Sequence, residues 1–229
     1  CLLLTIASGL VGTPDPRANI NLTLFWVAFL LGLTYATAFI GNVYALVNPW
    51  RSLADLIEML GVTLSRPRMR YPARLGYLPA FVFYVALIWM ELFTLPRPVT
   101  LSLALLAYTA ITLAGVWLFG KSTWFTYGEL FGVLFHLVGS VAPVEYDSDR
   151  GRAAVRLRVP FASARLRPPM HGTLVLFVLF MLSSTTYDAV HQTFLWVSFY
   201  WQGLLPLLQP LWGGDMLAAQ TVLTEWYRV

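Results

Sequence analysis

Residues 99–120 read VTLSLALLAYTAITLAGVWLFG, a run without one charged side chain. As a helix rising 1.5 Å per residue it would be about 33 Å long, enough to cross a hydrocarbon core of about 30 Å. Just upstream, Pro96-Arg97-Pro98 is a tight turn. Before it lies Leu75 to Leu95, interrupted only by Glu91. Two long apolar helices joined by so few residues form an antiparallel hairpin. Further out, Leu22 to Val43 is free of charge, and Gly172 to Tyr187 is apolar up to Asp188. The spacing thus predicts four spans, near 22–43, 75–95, 99–120 and 172–187.

Composition agrees. Hydrophobic residues make up 58% of the chain and charged residues 11%, against about 25% charged in an ordinary soluble domain. A soluble protein of this size needs more charge to coat its surface, so lipid is the expected coat. The expected fold is all-α, a polytopic transmembrane helical bundle in a single domain over residues 1–229. Cys1 to Val11 is too short to cross and reads as the end of a truncated span. The two termini read as cuts through a longer protein, and a lipid anchor on Cys1 is the alternative for that end.

The segments between the spans are amphipathic or basic. Asn48-Pro49-Trp50-Arg51 marks a break, with Pro49 suited to the first turn of a new helix. Over 50–61, Leu53, Leu56, Ile57 and Leu60 recur at helical spacing opposite Asp55 and Glu58, which predicts a helix lying in the membrane interface. Segment 124–141 carries Glu129 and His136 and is short for a span. Two loops are basic, Ser65 to Arg74 and the six-arginine stretch Arg150 to Arg167. If 124–141 crossed, those loops would lie on opposite sides, against the positive-inside bias. It therefore reads as interfacial or re-entrant, with both loops cytoplasmic. Within the loop 142–169, Val155-Arg156-Leu157-Arg158-Val159 alternates like a strand after the turn residues 147–151, which suggests a small cytoplasmic hairpin. Segment 194–212 is rich in aromatics and broken by Pro206 and Pro210. It reads as an outer interfacial helix, with a fifth span as the alternative.

Several functions are disfavoured. One cysteine excludes an internal disulfide framework and thiolate metal sites. The net charge of +4 is read as topology and not as a nucleic-acid surface. Residues 115–122 fit the phosphate-loop pattern GxxxxGK[ST], but the first glycine lies in an apolar helix and the loop positions hold Trp117, Leu118 and Phe119. No nucleotide is expected there, and Lys121 reads as snorkelling to headgroups. Asn21-Leu22-Thr23 matches a glycosylation acceptor but borders a span. Neither GxSxG nor HExxH occurs.

What remains are ionisable residues in or beside the membrane, which are expensive in lipid and mark sites or clamps. An outer cluster holds Glu91, Asp188 and His191. Two carboxylates and an imidazole suit acid–base catalysis, a proton relay or a divalent metal, and equally an interhelical hydrogen-bond set. An inner cluster holds Asn42, Asn48, Arg51, Glu129 and His136. Arg51 is the expected partner of Glu129, and Gly128, Gly132 and Gly139 would permit close helix contact. A polar clamp is the structural reading of that set. No organic cofactor is expected.

Asn48-Pro49-Trp50-Arg51, Tyr71-Pro72-Ala73-Arg74-Leu75-Gly76 with Glu91-Leu92, and Thr185-Thr186-Tyr187-Asp188 resemble segments of a family of bacterial multi-pass membrane proteins. The order of 124–143, the basic loop and Arg165-Leu166-Arg167-Pro168-Pro169 is similar too. Members are called hypothetical membrane proteins or fenitrothion hydrolase. The resemblance runs from about Asn48 to Trp196. It implies a bacterial inner-membrane location with further spans, and the hydrolase name implies phosphotriester cleavage. It draws attention to Asn48, Arg51, Glu91, Tyr187 and Asp188 without giving them roles. Three expectations follow: a transport-type or complex-forming membrane component, a membrane-embedded hydrolase of phosphotriester-like substrates, or a structural subunit of a larger assembly. Lipid and other membrane subunits are the expected partners.

Overall fold

The computed structural model of the chain describes residues 2–94, 97–147, 154–157, 159, 171–191, 193–208, 210, 217, 220–221 and 223–224. The described chain is mostly helical, and three helices are long and apolar enough to cross a membrane. They are α2 (Ile20–Ile40), α6 (Pro98–Phe119) and α9 (Gly172–Val190), with mean hydropathies of 1.8, 1.9 and 1.6. The shorter helices are α1 (Leu2–Val11), α3 (Tyr44–Val47), α4 (Pro49–Met59), α5 (Leu78–Phe93), α7 (Lys121–Tyr127), α8 (Leu130–Gly139), α10 (Phe194–Ser198) and α11 (Leu205–Leu208).

The expected span over 75–95 is not among these three. It is helical over the 16 residues of α5, about 24 Å at 1.5 Å per residue, so residues flanking α5 must complete its crossing of a hydrocarbon core. The reason for its length lies at its start. Gly76 takes φ +46 and accepts a hydrogen bond from the Tyr71 hydroxyl (2.6 Å), and the Tyr77 amide donates to the Thr173 hydroxyl (2.8 Å). Backbone groups that would open the helix two or three residues earlier are thus bonded sideways.

Two compact units can be distinguished, residues 1–84 with 96–175, and residues 85–95 with 176–229. In the first, α1 packs along the start of α6. The Asn21 side chain is fully buried there, and its amide donates to the carbonyls of Thr5 (3.2 Å) and Pro98 (3.2 Å) and to the Ser102 hydroxyl (3.0 Å). The glycosylation-like triplet therefore has its asparagine turned inside.

Within α2, residues Thr23–Gly32 are π-helical, a run far longer than the usual single-turn bulge. Phe25 and Phe29 stack there, and both meet Phe131 of α8 edge-on. Glycines with positive φ stop the long helices, Gly41 after α2 and Gly120 after α6.

Helix α4 begins as its sequence requires: the Asn48 side chain accepts from the Trp50 and Arg51 amides, and Pro49 fills the first turn. The face that packs on α6 is Trp50 and Ala54 with Ile57 beside them, while Leu56 and Leu60 of the apolar stripe stay exposed. The Trp50 indole donates to the Thr109 hydroxyl (3.0 Å), and Ala54 packs with Val116, Leu64 and Trp124. A turn further on, Lys121 bonds Asp55 and Glu58, the latter at 2.7 Å. The Lys121 ammonium is thus spent on α4 rather than reaching for headgroups.

That tie carries a pH dependence. Hydrogen bonds from Lys121 and Ser65 hold the Glu58 carboxyl down at about 2, against an ordinary 4.5. A folded value below the ordinary one means that the stabilisation is complete above about pH 4.5 and is lost as pH falls toward 2. Lys121→Met should flatten this acid limb in thermal unfolding recorded between pH 5 and 2. An unchanged limb would show that the tie carries none of it.

The hairpin forms between β1 (Val144–Asp147) and β2 (Ala154–Leu157), antiparallel, with Glu145 opposite Arg156. The residues joining its strands, and the Arg165–Pro169 stretch, lie outside the described residues. In the second unit, Leu87, Phe177 and Leu223 are buried and the Tyr200 hydroxyl donates to the Leu223 carbonyl (2.8 Å). The expected interfacial helix over 194–212 is α10, a π-helical stretch Phe199–Leu204 and α11, with residues 209 and 211–212 outside the described set.

A polar clamp at Glu129 as candidate functional site

The segment over 124–141 is two helices, α7 and α8, broken at Gly128–Glu129. Glu129 takes an extended backbone at the break and caps α8 with its own side chain, which accepts from the amides of Phe131 (3.0 Å) and Gly132 (2.7 Å). Three more donors converge on it from distant segments. The Tyr108 hydroxyl of α6 lies 2.7 Å from Oε1, the Tyr44 hydroxyl 3.2 Å from Oε1, and the Asn48 side-chain amide 3.3 Å from Oε2. Glu129 is completely buried, and the rings of Tyr44 and Tyr108 that reach it both pack on Phe131.

These contacts define the chemistry. Tyr108 also accepts from the Leu130 amide (3.1 Å), so its own hydrogen is directed to the carboxylate. Every group reaching the carboxyl oxygens is a donor, which suits an acceptor-only, ionised side chain and works against the burial that pushes the Glu129 carboxyl above its ordinary value. Burying a carboxylate costs several kcal/mol even after relaxation. Hydrogen bonds to charged groups return about 1.5–3 kcal/mol each, so five of them offset that cost without a cation. The α8 N-terminus adds its positive dipole end.

Asn48 serves two helices at once. Its oxygen caps α4 while its amide nitrogen holds Glu129, which fixes the orientation of the side chain. Gly132 contributes by lacking a side chain: a Cβ there would lie 2.7 Å from Glu129 Oε2. Gly139 sets α8 against Asn42, and Gly128 makes room for the Trp124 ring.

Arg51, the expected partner of Glu129, is exposed, and neutral donors occupy the carboxylate instead. A guanidinium prefers to keep its hydration when tyrosines and an asparagine can do the same work. Arg51 instead lines a cleft of about 300 Å³ beside the clamp, together with Asn42, Asn48, Tyr77, Thr126 and His136. The sequence reading thus brought together Asn48 and Glu129 correctly, whereas Arg51 and His136, which it set in the same cluster, line the neighbouring opening. It missed Tyr44 and Tyr108.

The outer residues lie in the second unit. His191 Nδ1 contacts the Asp188 carbonyl (2.8 Å) and the Tyr187 carbonyl (3.2 Å), so that nitrogen carries the hydrogen. The Asp188 carboxylate is 3.9 Å away, beyond hydrogen-bond range. The imidazole stacks on Tyr187. Glu91 is exposed, and its charge and that of Asp188 repel each other. Among the described residues, no three His, Cys, Asp or Glu side chains converge as a metal-ligand set. The segment matching the phosphate-loop pattern is the last turn of α6 followed by the start of α7, with Gly115 packed on Trp124.

No protein-family model, no curated protein and no solved structure matches the chain.

Proposed function

We propose that the chain is part of a polytopic bacterial inner-membrane protein, a transport-type or complex-forming component. Its arginine-rich loops face the cytoplasm, and the cleft beside Glu129 is its working surface. One observation carries this reading: a sealed carboxylate clamp and an open polar cleft share Asn48. A clamp without an opening would serve packing alone. Among the described residues the cleft lining holds Arg51 and His136 and no acidic side chain, so it suits an anionic group on a solute or on a partner subunit. The positive-inside bias supports the orientation, and the family resemblance supports the bacterial inner membrane.

The test is purification of the full-length protein from native membranes, with everything that travels with it identified. The expected result is a stable heteromeric complex, or a bound anionic solute, that is lost in Arg51→Ala. Arg51 is exposed, so that variant should keep its stability within about 0.5 kcal/mol. A clean monomer with nothing bound would overturn the proposal. A complex untouched by Arg51→Ala would leave a structural subunit and remove the working role of the cleft.

A further inference from the structure

A second opening, a groove of about 650 Å³, lies apart from the Glu129 clamp and is lined by Arg68, Arg70, Tyr71, Phe119, Tyr127 and His171 among others. Its level is set by the ends of two long helices. The amides of Arg68 and Met69 both donate to the Leu118 carbonyl (2.9 Å) in the last turn of α6, and α9 begins immediately after His171. If α6 and α9 cross the bilayer, the groove stands at its boundary.

Among the described residues the charge in the groove has no acidic counterpart, and one of its two guanidinium groups is held in place. Arg68 donates to the Trp117 carbonyl (3.0 Å) and stacks over the Trp117 ring at 4.3 Å, which holds its guanidinium in place. Arg70 is exposed and has neither a hydrogen bond nor an ion pair among the described residues. No acidic side chain is among the described lining residues, and the Asp55 and Glu58 carboxylates are engaged by Lys121. His171 adds no charge as bonded here. Its Nε2 meets the Ala73 carbonyl (3.1 Å) and must donate, so Nδ1 accepts from the Thr173 amide and hydroxyl. Around the two guanidinium groups the lining turns apolar and aromatic, with Met69, Phe119 and the stacked pair Tyr71 and Tyr127.

We propose that this groove binds the phosphate of an anionic phospholipid headgroup, Arg68 and Arg70 taking the phosphate oxygens and the apolar wall taking the base of the acyl chains. Guanidinium groups match phosphate geometry. A zwitterionic headgroup would bring its own cation toward the same arginines, so the groove should discriminate between lipids that both carry phosphate. The proposal rests on the membrane reading above.

The experiment uses the full-length protein in neutral detergent. Its thermal midpoint is followed while short-chain phosphatidylglycerol, short-chain phosphatidylcholine or inorganic phosphate is added. Phosphatidylglycerol should raise the midpoint saturably, and the other two should not. Arg70→Gln should weaken the phosphatidylglycerol response about fivefold, the scale of one basic residue near an anionic lipid surface. Arg66→Gln, an exposed change in the same loop but outside the groove lining, should leave it intact. Equal responses to both lipids would overturn the proposal. So would a matching response to phosphate alone, which would make this a free-anion site. Equal weakening by Arg66→Gln would reduce it to diffuse attraction. If the protein leaves native membranes only with detergent and still shows no preference, the membrane reading stands and the lipid site falls.

Discussion

Replacing Glu129 by Gln should destabilise the detergent-solubilised protein by about 2–4 kcal/mol, the cost of leaving buried donors facing a donor. The amide nitrogen must occupy the place of one carboxylate oxygen. On the Oε1 side it would meet Tyr44, Tyr108 and the Phe131 amide, and on the Oε2 side Asn48 and the Gly132 amide. On the Oε1 side the Tyr44 hydroxyl could turn to accept, but its own hydrogen would then lose its partner, and the Oε2 side offers no acceptor. Asn48→Asp tests the same point from the partner. It keeps an oxygen to cap α4 but turns a second acceptor toward the carboxylate across a 3.3 Å contact, so it should cost a similar amount. Denaturant unfolding followed by tryptophan fluorescence measures both. A Gln variant as stable as the parent would mean that the carboxyl is held neutral, and the clamp would then be an ordinary hydrogen-bond set.

Gly115→Ala is the second large effect expected. A Cβ at that position would lie 2.3–2.5 Å from three atoms of the Trp124 ring. The ring cannot yield, because it is 5% exposed, abuts Gly128 on another side and stacks on Phe119. Alanine would add up to about 1 kcal/mol of helix propensity. Overpacking of a filled core costs about 1–3 kcal/mol and more against a rigid ring, so the clash wins. The sharper readout is a double-mutant cycle with Trp124→Leu, which removes the obstructing ring. The two changes should couple by about 0.5–3 kcal/mol. Strict additivity would mean that helix and ring are not in contact.

These effects also mark what could be read from the sequence. Long uncharged runs identify α2, α6 and α9, because lipid compatibility is a property of consecutive residues. Asn48 followed by Pro49 identified a helix start. Glu129 stood out because a carboxylate in an apolar stretch needs a reason to be there. Its partners did not stand out. A tyrosine in an uncharged helix reads the same whether it faces lipid or a buried carboxylate, so Tyr108 gave no signal. The capping role was hidden too, since helix-capping preferences favour shorter side chains and nothing local says that Gly132 leaves room for a folded-back glutamate.

The true start of α5 was hidden for a similar reason. It depends on a hydrogen bond between Tyr77 and Thr173, 96 positions apart. Arg51 was misassigned because opposite charges were matched by sign, whereas desolvation favours neutral donors in the dry interior. Nothing in the hydrophobic pattern of 23–32 distinguishes π-helical from α-helical bonding.

The account depends most on α6 crossing the bilayer, with Arg97 at one end and the Arg68 segment folded over the other. The direct measurement places single cysteines at Arg97 and at Arg66, both exposed, in a cysteine-free background of the full-length protein, and labels intact spheroplasts with a membrane-impermeant maleimide. Arg97→Cys should label from outside, and Arg66→Cys only after the membrane is opened. Labelling of both positions from the same side would contradict the account.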